Sequence, residues 1–302
     1  MKKLIPSLLL AGAAFAQEGL VSGPTLGLLY DPTARTLHSV NGMPAAALMS
    51  EHLPSAEGAA WLSAAPGGAY ALGLSPETGL LERITATSRE TLDMLPSGAQ
   101  SVRFSPSGRS ALLRVGERVT AVAGLAGAPS VAWEFTAPEG AALAVSDDGS
   151  RALSLIDGRL TQHLSDGSSS ELIASAARLA AYLEDSQSIA ALTREDGVLL
   201  LLGGEQARRL ALPDGLAHPV AVAGRGDHLL AVSAEGLVAR LALDGLTVET
   251  ISCGCAPTTI TRTSHASLYR LNDAGEGPVW LLDVSGPQPA VLFIPPVVKE
   301  AE

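Results

Sequence analysis

Cys253 and Cys255, separated by Gly254 and followed by Ala256-Pro257, are the residues whose type and spacing most directly suggest chemistry. A dithiol this tight has three outcomes: a small-ring disulfide, a redox or metal-holding pair, or two separate thiols. In an extended chain the two Cα atoms stand about 6.6–7 Å apart, at the upper edge of what a disulfide accepts. A bend at Gly254 shortens that distance, because glycine takes the dihedrals the bend needs. In an oxidising compartment the bridge is the expected state, so Cys253 and Cys255 are disulfide candidates. As a zinc site the pair is incomplete, and His265 lies too far on for finger spacing.

Other candidate chemistry is thinner. The histidines are His38, His52, His163, His218, His228 and His265, and none is three or four residues from another. Only a fold that gathers distant segments around an axis would bring them to one metal. Asp147-Asp148-Gly149 pairs two carboxylates but lacks the further oxygen ligands and closing glutamate of a calcium loop, so it reads as a hairpin turn. Arg225-Gly226-Asp227 spells an adhesion tripeptide at a place where glycine serves a turn. Gly-x-Ser-x-Gly, His-Glu-x-x-His, the phosphate-gripping Walker loop and Gly-x-Gly-x-x-Gly are all missing. No catalytic residue, metal or cofactor is assigned from the sequence.

The elements that position these residues are organised by a repeat. A short apolar segment, a turn and a second apolar segment recur, as in Val102-Arg103-Phe104-Ser105-Pro106-Ser107-Gly108 with Ser110-Ala111-Leu112-Leu113. Leu143 to Gly149 with Arg151 to Leu155, and Val220 to Gly226 with His228 to Val232, follow the same plan. Equivalent turn points fall at 68, 108, 149, 186, 226 and 265, a period of about 40 residues, which is the blade length of a β-propeller. Acidic-Gly turns such as Asp157-Gly158 and Glu235-Gly236 then lead into third strands. Fourth strands such as Thr247 to Ile251 are more polar, as outer edges must be. The expected architecture is an all-β propeller of four-stranded antiparallel blades, seven favoured over six. Its units lie near 57–96, 97–138, 139–176, 177–216, 217–254 and 255–296, with 20–56 as a partial or first blade. Seven is favoured because the last unit owns its outer strands, Val279 to Asp283 and Ala290 to Ile294. Ser170 to Leu183 also fits helical spacing through Leu172, Ala176, Leu179 and Leu183, but the repeat interval requires strands there.

The Ser-Pro-Ser-Gly and Ser-Asp-Asp-Gly turns after Val-rich strands resemble those of WD40-like and YVTN-type bacterial propellers, over roughly residues 57 to 296. Tyr30-Asp31, Asn41-Gly42-Met43-Pro44, Cys253-Gly254-Cys255-Ala256-Pro257 and Phe293-Ile294-Pro295-Pro296 also resemble uncharacterised exported bacterial propellers, a family that implies no established activity. No Trp-Asp pair ends the third strands and no Gly-His pair opens the blades, so the scaffolding residues of eukaryotic WD40 repeats do not carry over.

The N-terminus carries the compartment signal. Met1-Lys2-Lys3, the apolar run Leu4 to Ala13 and the small-x-small motif Ala14-Phe15-Ala16 describe a secretion signal over 1–16. The run is too short to span a bilayer, and no cysteine follows the cleavage point to carry a lipid. The remainder, 17–302, is expected to be one exported propeller domain, periplasmic or secreted, monomeric and not membrane-spanning. A formal charge of −11 argues against nucleic acid. Propeller turns between second and third strands share a face with the interblade connections. Here that face carries Arg114, Asp157, Arg194, Glu195, Asp196, Glu235, Asp273 and Glu276, the expected binding residues. The reading is a non-catalytic scaffold presenting a rigid disc face to a protein or envelope component. The alternative is a propeller enzyme, a lactonase-like hydrolase or a lyase, with an axial metal. Small residues dominate the first strands, which favours the scaffold.

Overall fold

The computed structural model describes residues 24–184, 188–193, 198–202, 207–216, 218–244, 248–275 and 277–296. Its 27 described strands form seven separate antiparallel sheets, each built from consecutive strands. Blade 1 has three: Thr25–Asp31, Thr36–Asn41 and Leu48–His52. The other six have four each. Their first strands are Leu62–Ala64, Ser101–Phe104, Ala142–Val145, Ala177–Tyr182, Pro219–Arg225 and Thr261–Arg262. The array is a seven-bladed propeller, and the last blade indeed contains its own outer strands, Val279–Asp283 and Ala290–Ile294. The segment with helical spacing is two strands, Ser169–Ile173 and Ala177–Tyr182. There the apolar residues pack against neighbouring blades on both faces, and burial in the sheet outweighs local helix propensity.

Packing explains the sequence pattern. Seven apolar clusters among the described residues lie one between each pair of adjacent blades. Second and third strands are covered on both faces, so they read as unbroken apolar runs; Leu229 to Val232 is fully buried. Fourth strands such as Val248–Ser252 alternate with solvent. Each turn after a first strand is closed locally: the Gly108 N–H donates to Ser105 O and the Ser105 N–H to Ser110 O. Gly108, Gly149 and Gly226 take positive φ there, which is why the repeat has glycine at those points.

Blade 1 departs from the repeat. In other blades, the start of a second strand meets the first turn of the next blade, as where Ser110 Oγ donates to Ser146 O. In blade 1 the start of its innermost strand does this instead: the Leu28 N–H donates to Gly68 O, and Ser264 N–H donates to Leu26 O. Its three strands therefore run as the second, third and fourth strands of a blade. Their burial agrees, the first two having mostly buried centres and the third being mostly exposed. Blades 7 and 2 close over the missing position, the Gly67 N–H donating to Arg262 O at 2.9 Å. Among the described residues, six first strands ring the axis of a seven-bladed array.

The two cysteines follow the fourth strand of blade 6. They are joined across Gly254, which has φ +60°, with Cα atoms 5.1 Å apart. The pair lies against the Gly236 turn, where the Cys253 N–H donates to Gly236 O. Closing so small a ring removes little chain entropy from the unfolded state. Replacing both cysteines with serine is therefore expected to lower stability by only about 1.6 kcal/mol on the loop-entropy relation. Urea unfolding of the double variant against the oxidised chain checks this; a loss above about 4 kcal/mol would show that the bridge holds the blade seam itself.

Candidate functional site

One end of the axis opens into a cavity of about 170 Å³, at the face formed by the turns between first and second strands. Residues from blades 2 to 7 line it. Ala144, Ala181, Ala223 and Gly224 line it with little or no side chain and leave the room. Phe104, Tyr182 and Tyr269 supply aromatic wall. The ladder registers place Phe104, Val145, Tyr182, Ala223 and Arg262 at equivalent positions, at or within two residues of the ends of successive first strands. One position in that ring is thus an arginine where the others are apolar.

Among the described residues lining the cavity, two are charged, Glu184 and Arg262. Glu184 follows the first strand of blade 5, its side chain only 5% exposed. Its backbone N–H donates to Gly224 O at 2.7 Å, tying blades 5 and 6 together. Arg262 Nε stands 3.1 Å from Glu184 Oε2, and Arg225 Nε stands 3.7 Å from Oε1. The first contact is close but misaligned: Arg262 Nε is buried without a hydrogen-bonding acceptor. It is a Coulombic contact rather than a hydrogen bond, so the guanidinium's donor capacity is only partly used. Burial raises the Tyr269 hydroxyl above its usual range, and the nearby Glu184 charge adds to this. Burial likewise pushes Tyr182 up to about 12, although Gln162 Nε2 donates to its oxygen. Both phenols stay neutral at ordinary pH. The described lining offers hydroxyl groups and a guanidinium.

The residues expected on the opposite face are scattered among different tasks. Arg114 is buried and donates to three carbonyls: Pro138 O at 2.9 Å, Ala141 O at 3.1 Å and Ala137 O at 3.4 Å. Asp157 is exposed on a tight turn at φ +51°, and Glu235 is exposed beside Gly236. Asp273 pairs with Arg270 at 3.2 Å. Arg194, Glu195, Asp196 and Glu276 lie outside the described residues.

The remaining motifs are turns. Asp147 accepts from the Ser107 N–H and hydroxyl of the preceding blade. For Asp148, burial works to raise its pKa, but donation from Ser146 and Ser150 outweighs that and holds the carboxyl below its usual range. Asp227 is occupied by its neighbour His228 at 2.7 Å. His163 stacks on Phe135 with ring centroids 4.3 Å apart, and burial lowers its pKa. Among the described residues no group of three or more His, Cys, Asp or Glu is placed to hold a metal ion. Nor is any described helix long and apolar enough to cross a membrane.

Comparison with known proteins places the architecture. A functionally unknown protein from Desulfotomaculum acetoxidans superposes with a TM-score of 0.58 at 11% identity, over 89% of this chain and 99% of that one. The WD40 repeats of RRP9 give 0.53 at 12% identity, over 78% and 80%. The fold is a seven-bladed β-propeller, the architecture that WD40 repeats also build. The propeller also matches PorZ, a surface component of the type-IX secretion system of Porphyromonas gingivalis, with a TM-score of 0.58 at 13% identity. That match covers 92% of this chain but only 39% of PorZ. At such identities the likeness is one of fold. No family model and no curated protein matches the chain.

The sequence did not single out Glu184, Arg262, Tyr182, Tyr269 or Phe104. The available signal was positional. Arg262 stands where the equivalent first-strand positions carry Ala64, Phe104, Val145, Tyr182 and Ala223, and Glu184 and Arg225 stand at a turn position that carries Pro66, Pro106, Asp147 and Ser264 in the other repeats.

Proposed function

We propose that this propeller is an exported, non-catalytic binding module that engages a protein or envelope partner at the axial mouth. The observation that carries the reading is the concentration of concavity, aromatic wall and both signs of charge at that one end of the axis. The mouth's carboxylate is held between two guanidiniums, an arrangement suited to recognition and poor for metal ligation or base catalysis. Export rests on the leader-like residues 1–16 and fits a closed disulfide at Cys253–Cys255.

Two measurements test this reading. Expressed from Met1 in a bacterial host, the chain is expected in the periplasm or medium with Gln17 as its first residue; an unprocessed cytosolic product would overturn export. The purified protein is expected to co-sediment with envelope fractions of its source cell, and Arg225→Glu to abolish that retention. Retention unaffected by Arg225→Glu, or about one metal ion per chain by elemental analysis, would remove the mouth-binding module in favour of another face or of an axial metal site.

A further inference from the structure

We propose that the axial mouth takes a carboxylate carried on a short aromatic or apolar stem, with Arg262 and Arg225 as its anchors. This rests on the mouth being the binding end and names the chemistry it selects. In a chain of formal charge −11, the described residues at the mouth gather two guanidiniums around one carboxylate. The exposures decide which charge a ligand meets. The Glu184 side chain is 5% exposed, whereas Arg262 is 18% and Arg225 is 40%. Among these three described side chains an entering group therefore encounters guanidinium before carboxylate. A cation is repelled there, and a neutral group gains only ordinary hydrogen bonds. A carboxylate gains charge-assisted ones from a planar donor fork.

Arg262 strengthens the case. It lines the cavity, and its contact to Glu184 leaves Nε without an aligned acceptor. The guanidinium is thus not committed to the one carboxylate it already touches. Phe104, Tyr182 and Tyr269 give the rest of the cavity an aromatic wall, which favours a stem over a bare anion. Its volume of about 170 Å³ admits one side chain or one small acid, and not a folded segment. The carboxylate has two sources, a free organic acid or the C-terminus of a peptide.

Titration calorimetry with 3-phenylpropionate and its amide tests the chemistry. A peptide ending in phenylalanine, with free or amidated terminus, separates the sources. Binding of either carboxylate, with its amide at least about tenfold weaker, is the expected result. Arg262→Gln should weaken binding at least about tenfold. Glu184→Gln should strengthen it about five- to tenfold, because it removes the competing negative charge. That gain is the diagnostic sign, since a purely structural ion pair gives a loss or nothing. Arg225→Gln, at the more exposed anchor, serves if a buried variant does not fold, and should weaken binding about threefold or more. Amides binding as well as acids, or affinity unchanged in Arg262→Gln and Arg225→Gln, overturns the proposal. If neither acid binds while envelope retention still depends on Arg225, the ligand class falls and the module reading stands.

Discussion

Gly68→Ala is expected to destabilise the propeller by at least about 3 kcal/mol, from two effects that add. Gly68 has φ +62°, a conformation that costs an alanine roughly 1 kcal/mol. A Cβ there would also stand 2.4 Å from Gly27 Cα and 2.7 Å from Leu28 N, both backbone atoms of the neighbouring blade. No rotamer relieves that overlap. The seam between blades 1 and 2 must open, and with it the 2.8 Å bond from the Leu28 N–H to Gly68 O. Blade 1 has only three described strands, so this seam is where the ring has least to spare. Gly116→Ala is the control: φ is +59° but nothing lies within 4 Å, so about 1 kcal/mol is expected. Urea unfolding of the two variants side by side checks the difference. Equal losses would mean that the blade contact gives way and only the dihedral matters.

Gly68 also marks what the sequence made legible. The period of about 40 residues placed it at a turn, because a propeller repeats its local chemistry with its geometry. The same regularity gave the four-stranded blade and its polar outer edge, while the choice of seven blades over six rested on the last unit's own outer strands, Val279 to Asp283 and Ala290 to Ile294. Legibility ended where the repeat is broken. The contact of Gly27 with Gly68 is invisible along the chain because two blades supply its halves. Blade 1 showed three apolar segments, Leu26 to Tyr30, Thr36 to Val40 and Ala45 to Met49; the third is a short 3-10 turn at Pro44–Ala46 followed by Leu48–His52. Proline fixes its own φ and lacks an N–H, so the chain bends before it can pair. The direction of these strands needed the interblade bonds. The axial mouth was hidden for a related reason: Glu184, Arg225 and Arg262 belong to three repeats, and nothing local says that they meet. Small residues in the first strands did signal an axis with room in it.

Arg114 is the opposite case, a charge expected at a binding face whose guanidinium the fold engages internally. It lies near the end of the second strand of blade 3, Ser110–Val115, at the face where a binding role was expected. Its guanidinium instead satisfies the carbonyls of Ala137, Pro138 and Ala141, in the connection that carries the chain into blade 4. Pro138 has no N–H and cannot join a ladder, so this connection lacks regular backbone partners and a rigid five-donor fork replaces them. Arg114→Ala leaves these carbonyls without their donor and opens space at the seam. A loss of about 3 kcal/mol is expected. Arg114→Lys should recover only part of it, because one ammonium cannot span three acceptors in a fixed plane. Thermal and urea unfolding measure the loss, and binding at the axial mouth, on the other face, should be unchanged in whatever fraction stays folded. A stable Arg114→Ala protein that no longer binds would return Arg114 to the recognition surface and move the functional face to the opposite end of the axis.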